Sequence, residues 1–149
     1  DANRPMFVGT FNGPAAVGGT SSGLSVFATD TTIRCTVGFT DSGGAAAAQS
    51  ASIVNTYASV WSLYVLRVSA TSVSVRDVTH GITSTTTYPV GSVRRPTTNQ
   101  FRIGSGFTSF QGVADVAACQ IHSAALTEEE IQTTIVDIRG YLARKGISV

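Results

Sequence analysis

The chain carries little charge. Charged residues make up 13% of its 149 residues, and the net charge at pH 7 is +1. A surface that binds nucleic acid needs clustered basic residues. One adjacent basic pair is Arg94-Arg95, with Arg102 nearby, and such a pair before a proline is typical of a solvated loop. We therefore expect no nucleic acid among the partners.

Long apolar runs and cysteines are also scarce. No run of 18 apolar residues occurs, so the sequence predicts no membrane span. Two cysteines, Cys35 and Cys119, are too few for a metal site or a disulfide framework. The alternation around Cys35 predicts a small buried core residue on the apolar face of a strand. Whether it pairs with Cys119 stays open.

Serine and threonine, by contrast, supply about a quarter of the chain. Threonine favours strands and serine favours turns, which together indicate an all-β protein. The length fits one domain, to which we assign residues 1–149. Because the chain begins at Asp1 without an initiator Met, we expect it to be processed or cut from a larger protein.

Short alternating or apolar segments bounded by Gly, Pro and Asp predict a series of strands. The segment 60–69 is almost continuously apolar, which is typical of a strand buried on both faces. With the two strands that follow, it predicts a three-stranded meander with a hairpin turn at His80-Gly81. The state of 45–48 stays open. The predicted strands lie near 6–8, 24–28, 32–39, 60–69, 72–75, 82–90, 101–104 and 113–121.

The last element is predicted to be an amphipathic helix. Thr127 and Glu130 have the spacing of a capping box, and Leu126 and Ile131 that of a hydrophobic staple. Gly146 is placed to end the helix. One stripe at helical spacing is expected to face the core. It consists of Ile131, Ile135, Ile138 and Leu142.

Several short segments, which bracket nearly the whole chain, match a known set of motifs. Asp1-Ala2-Asn3-Arg4-Pro5 is similar to the motif "A-x-R-P", and Phe101-Arg102-Ile103-Gly104 to the strand motif "x-R-I-G". Near the end of the chain, Phe110–Val116 and Ala125–Ile131 are similar to "F-x-G-x-I-A-E-V … A-L-[ST]-x-x-E-I", with Asp115 in place of the usual Glu, and Tyr141–Gly146 is similar to the tail "Y-L-x-x-K-[YH]-G". In these motifs the chain resembles the concanavalin A-like lectin/glucanase superfamily in its laminin-G-like, pentraxin-like branch.

The resemblance implies an all-β, two-sheet antiparallel jelly-roll sandwich with one C-terminal α-helix. Members of this branch that are rich in Ser, Thr and Gly and poor in charge look like domains of bacteriophage virion proteins and bacterial surface proteins. The expected location is therefore a virion or the extracellular cell surface. Fold alone does not fix function.

The residues predict no enzyme. Glucanases on this fold carry alternating acids on a strand, because a retaining mechanism needs two carboxylates about 5 Å apart. Here the three glutamates all lie in the predicted first helical turn, where capping and the helix dipole explain them. Only His80 and His122 could serve as the histidine of a serine-hydrolase triad.

No cofactor is expected, although calcium is left open. Calcium sites need clustered oxygen ligands, and the candidates form no dense run. These candidates are Asp30, Asp41, Asn55, Asp77 and Asn99. Sugar-binding modules stack aromatic rings on sugar faces. Trp61 and Tyr64 belong to the predicted buried strand and are expected in the core, whereas Tyr57 and Tyr88 are expected at exposed strand edges.

Four residues are the candidate ligand-binding set: Asp77, His80, Tyr88 and Arg95. They offer an acceptor, a switchable donor, a stacking ring and a cation within twenty residues of chain, although all four are also ordinary loop residues. The predicted function is a non-catalytic module that recognises cell-surface carbohydrate. The alternative is a purely structural virion domain, of decoration or tail type, that contacts neighbouring subunits. Either role is compatible with a homo-oligomer.

Overall fold

The computed structural model describes residues 4–10, 22–29, 31–54, 60–104 and 112–149. Asp1–Asn3, Asp30, Asn55, Tyr57 and Phe110 lie outside the described residues. The described elements are nine strands and one helix, as follows: β1 Met6–Gly9, β2 Leu24–Ala28, β3 Thr32–Thr40, β4 Ala46–Val54, β5 Tyr64–Val68, β6 Ser72–Asp77, β7 Ile82–Thr87, β8 Val93–Arg94, β9 Arg102–Ile103 and α1 Glu128–Ala143.

The strands form two antiparallel sheets. The larger sheet has the order β4-β3-β2-β1-β9, and β8 pairs with the end of β3. The smaller sheet is the meander β5-β6-β7. The prediction of a mostly β chain with a three-stranded meander and one C-terminal helix is confirmed.

The core lies between the two sheets, and alternation along the strands builds it. On β3, Cys35 and Val37 are fully buried, and on β6 so are Val73 and Val75. All four belong to one cluster, so the sheets share a core in a sandwich-like arrangement. The predicted burial of Cys35 is confirmed.

The helix forms as predicted from local signals. The Glu130 N–H donates to Thr127 Oγ1 at 3.3 Å, and the Thr127 N–H donates to the Glu130 carboxylate at 2.7 Å. At the other end Gly146 has a φ of 74°, and the Ile147 N–H donates to the Leu142 carbonyl. This is the bond pattern of a Schellman motif. In the described part of the chain, no helix is long and apolar enough to cross a membrane.

The helical stripe is largely buried. Ile131, Ile135 and Leu142 are 3–7% exposed, and Ile138 is half-buried. Residues on the opposite side, such as Val136 at 68% exposure, face solvent. The burial of one face stabilises a helix of this length more than its intrinsic propensity does.

Two predicted strands differ in the structure. Residues 113–121 form no strand, and Val113 is 92% exposed. Gly112 forms an isolated bridge with Pro5 at the start of this segment, and β9 takes the place beside β1 at Val8 and Gly9, so the segment does not continue along that strand. The strand predicted over 60–69 is the shorter β5, an edge strand whose Arg67 is exposed, so burial on both faces was wrong.

Two further residues correct the sequence interpretation. Trp61 precedes β5 and is 42% exposed, so it is not the core residue that the apolar run predicted. Within the undecided stretch at 45–48, residues 46–48 belong to β4, which pairs with β3 along nine residues. Alanine is a weak strand former, so this pairing rather than local propensity accounts for the strand.

Replacing Thr127 by Ala should lower the free energy of unfolding by about 1 kcal/mol, because the Glu130 N–H loses its acceptor. Chemical denaturation measures the change. Thr133→Ala is the matched control, since the exposed Thr133 lies inside the helix and bonds only to the Glu129 carbonyl behind it. Equal effects of the two substitutions would show that the cap does not stabilise the helix.

Candidate functional site: a cleft between the helix and the smaller sheet

The β6–β7 hairpin brings together two of the predicted ligand-binding residues. The His80 N–H donates to Asp77 Oδ1 at 3.0 Å, and His80 Nδ1 lies 2.8 Å from Asp77 Oδ2. Gly81 completes the turn with a φ of 70°. Asp77 is 3% exposed, so its carboxylate fixes the turn rather than offering itself to a ligand.

Tyr88 is buried, which corrects the expectation of an exposed ring at a strand edge. It is 8% exposed and stacks on Phe39, with ring centroids 5.6 Å apart. The Tyr88 N–H donates to the Thr71 carbonyl and so continues the hydrogen-bond ladder between β6 and β7. At this position the Tyr88 ring points to the inner face of the sheet, the face on which Val73 also lies. Burial raises the pKa of Tyr88. Its hydroxyl has no hydrogen-bond partner among the described residues.

Arg95 lies against the larger sheet. Its N–H donates to the Gly38 carbonyl, and its carbonyl accepts from the Gly23 N–H. Tyr88 lies opposite Thr71, beyond the Ser72 end of β6, whereas Asp77 lies at the other end, about 20 Å away along the strand. The structure therefore joins Asp77 with His80 but places Tyr88 and Arg95 elsewhere.

A shallow cleft of about 150 Å³ lies near that hairpin, between the start of α1 and the outer face of the smaller sheet. Cross-strand pairing positions its floor, because Val65 is opposite Arg76, and Arg76 is opposite Thr83. The lining residues are Val65, Arg67, Ser74, Arg76, Thr83, Glu128 and Ile131.

The cleft carries an excess of positive charge. Arg76 Nη1 binds Glu128 Oε1 at 2.6 Å and closes one side of the cleft. The Gln132 side chain also donates to Glu128, and these contacts, with Gln132 first and Arg76 second, hold the pKa of that exposed carboxyl below its usual range. Arg67 is exposed and adds a second guanidinium. Two arginines against one carboxylate leave a site suited to a polar or anionic group.

The sequence interpretation missed this cleft, although part of the signal was present. Strict alternation in β6 turns Val73 and Val75 inward, which necessarily turns Ser74 and Arg76 outward. The position of α1 over that face depends on residues more than fifty apart, as the Arg76–Glu128 pair shows. No local pattern encodes such a contact.

The remaining candidate groups are engaged in the structure. Asp41 accepts from the backbone of Gly43 and Ala45, and the Asn99 side chain donates to the Thr10 carbonyl. Among the described residues, no three His, Cys, Asp or Glu side chains group as a metal site.

Both cysteines are free thiols. Burial is the main cause that raises the pKa of Cys35 to about 12, so the thiol is a core residue rather than a nucleophile. Cys119 lies at the surface, where nearby protein atoms still remove part of the water around its thiol and thereby raise the pKa of the thiol.

No family model, curated protein or solved structure matches the chain.

Two substitutions at Tyr88 should separate the contribution of its ring to the free energy of unfolding from that of its hydroxyl. Tyr88→Ala should lower the free energy of unfolding by roughly 3 kcal/mol, because it removes a buried ring. Tyr88→Phe should leave it unchanged or raise it slightly, since the deleted hydroxyl is buried without a partner among the described residues. Urea unfolding of both variants is the measurement. A stability loss in Tyr88→Phe close to that in Tyr88→Ala would mean that the hydroxyl is bonded.

Proposed function

We propose that this chain is a non-catalytic binding module of a phage tail, virion or surface protein, with a concanavalin A-like jelly roll, and that it recognises cell-surface carbohydrate. The cleft beside α1 carries the proposal. Its hydroxyls, Ser74 and Thr83, and its guanidinium groups, Arg67 and Arg76, suit the hydroxyl oxygens of a sugar. Val65 and Ile131 offer apolar contact for a sugar face.

The charge of the cleft favours an acidic glycan. Arg67 and Arg76 outnumber Glu128, and Glu128 is already bonded to Arg76. A sugar carboxylate or sulfate would accept from Arg67 as a charge-assisted hydrogen bond, which is stronger than a neutral one. The exposed position of Arg67 allows it to reach a ligand in solvent.

The same lining supports a binding rather than a hydrolytic role. Hydrolysis of a glycosidic bond uses two carboxylates that flank it, and the seven residues of this cleft include one, Glu128. Outside the cleft, the Asp77 carboxylate is hydrogen-bonded to His80, and the Glu130 carboxylate accepts from the Thr127 N–H at the helix cap.

Arg67→Gln should weaken binding of an acidic glycan by about tenfold or more, because a hydrogen bond to a charged group contributes about 1.5–3 kcal/mol. A glycan array identifies the ligand, and titration calorimetry compares the variants. Lys145→Gln, which removes a positive charge beyond the far end of α1, should bind like the wild type. Both variants should keep the wild-type melting temperature.

Glycan binding that is equal in Arg67→Gln and wild type would contradict the cleft as the site. A blank array would favour the second candidate, a structural virion domain. One observation supports that alternative: the irregular segment 112–124 exposes Val113 at 92% and Ile121 at 60%. Where such side chains form one contiguous patch, the patch is typical of a surface that a neighbouring subunit covers.

A further inference from the structure

The strand β4 forms one edge of the larger sheet, and nothing in its sequence protects that edge. Natural proteins blunt edge strands with charge, proline or short length. The opposite edge, β9, has two residues, and the edge strand β5 of the smaller sheet carries Arg67. β4 has nine residues, Ala-Ala-Ala-Gln-Ser-Ala-Ser-Ile-Val, without charge or proline.

The register shows which backbone groups point away from the sheet. The Asp41 N–H donates to the Ala45 carbonyl, so odd-numbered residues near and along β4 face β3, and even-numbered residues face outward. The five outward-facing residues are Ala46, Ala48, Ser50, Ser52 and Val54. Within the described chain one contact reaches their backbone groups, from the Thr86 hydroxyl to the Ser50 carbonyl at 3.0 Å.

That contact places β7 on the same side of the molecule. β7, Ile82–Thr87, is the edge of the smaller sheet and is likewise uncharged. The two edges therefore form one side of the sandwich with no charged side chain on either strand. A carbonyl has a second lone pair, so the Thr86 bond leaves Ser50 able to accept once more.

We infer that β4 pairs antiparallel with β4 of a second copy of this chain, about a twofold axis at Ser50. In that register Ala46 lies opposite Val54 of the second copy, Ala48 opposite Ser52, and Ser50 opposite Ser50. Each of the five outward-facing residues then joins a hydrogen-bonded pair, for about ten backbone bonds in all.

The absence of charge is what selects a second copy as the occupant. A twofold axis brings a strand opposite itself, so any net charge on β4 would face the same charge. The small outer-face side chains of Ala46, Ala48, Ser50 and Ser52 leave room for the neighbouring strand. This pairing uses a side of the molecule other than the cleft, and it does not rest on the proposed function.

Analytical ultracentrifugation tests the pairing. The wild type should sediment as a dimer that dissociates on dilution. Ala48→Lys/Ser52→Lys sets like charges opposite each other at both pairs, and so does Ala48→Glu/Ser52→Glu. Each double variant alone should dimerise at least about tenfold more weakly. An equimolar mixture of the two should regain a dimer, because opposite charges then face each other.

Ile103→Lys on β9 is the matched control, since it adds a charge to the other edge of the same sheet. It should dimerise like the wild type. A monomeric wild type at every soluble concentration would overturn the proposal. So would an equal loss of dimer in Ile103→Lys, or double variants that stay monomeric when mixed although their thermal melts match the wild type.

Discussion

The packing of alternate side chains between two sheets is the constraint on which the rest of the structure depends. Cys35 and Val37 from β3 meet Val73 and Val75 from β6 in one buried cluster. Because strand side chains alternate with a period of two, filling this layer decides the residues on the outer faces as well. Ser74 and Arg76 line the cleft for that reason, since both neighbours of Ser74 are needed inside.

The same constraint separates the surfaces of the molecule by chemistry. The outer face of the smaller sheet carries the arginines and hydroxyls that α1 partly covers. The strands β4 and β7, by contrast, carry no charged residue. The hairpin that holds Asp77 and His80 fixes the end of β6 next to the cleft, so its polar residues support the position of Arg76 rather than forming a second site.

Local chemistry explains which parts of this fold the sequence could predict. The Thr127–Glu130 capping box and the Ser-Val alternation of β6 are short-range signals, and both elements form where these signals place them. Residues 113–121 have a strand-like composition, but β9 takes the place beside β1. Tyr88 has a loop-like neighbourhood, but its place in the β6 ladder turns the ring inward. The cleft depends on the distant Arg76–Glu128 contact. Sheet order and helix docking are non-local, so composition and periodicity do not determine them.

Native-state hydrogen exchange tests most directly whether the two sheets form one cooperative unit around a shared core. The amides of Cys35 and Val73 donate within different sheets, yet both residues belong to the same buried cluster. If that core unites the sheets, the amides of β3 and β6 should exchange with the same free energy, equal to that of global unfolding. Exchange of the β5-β6-β7 amides at a much lower free energy than those of β3 would contradict a shared core.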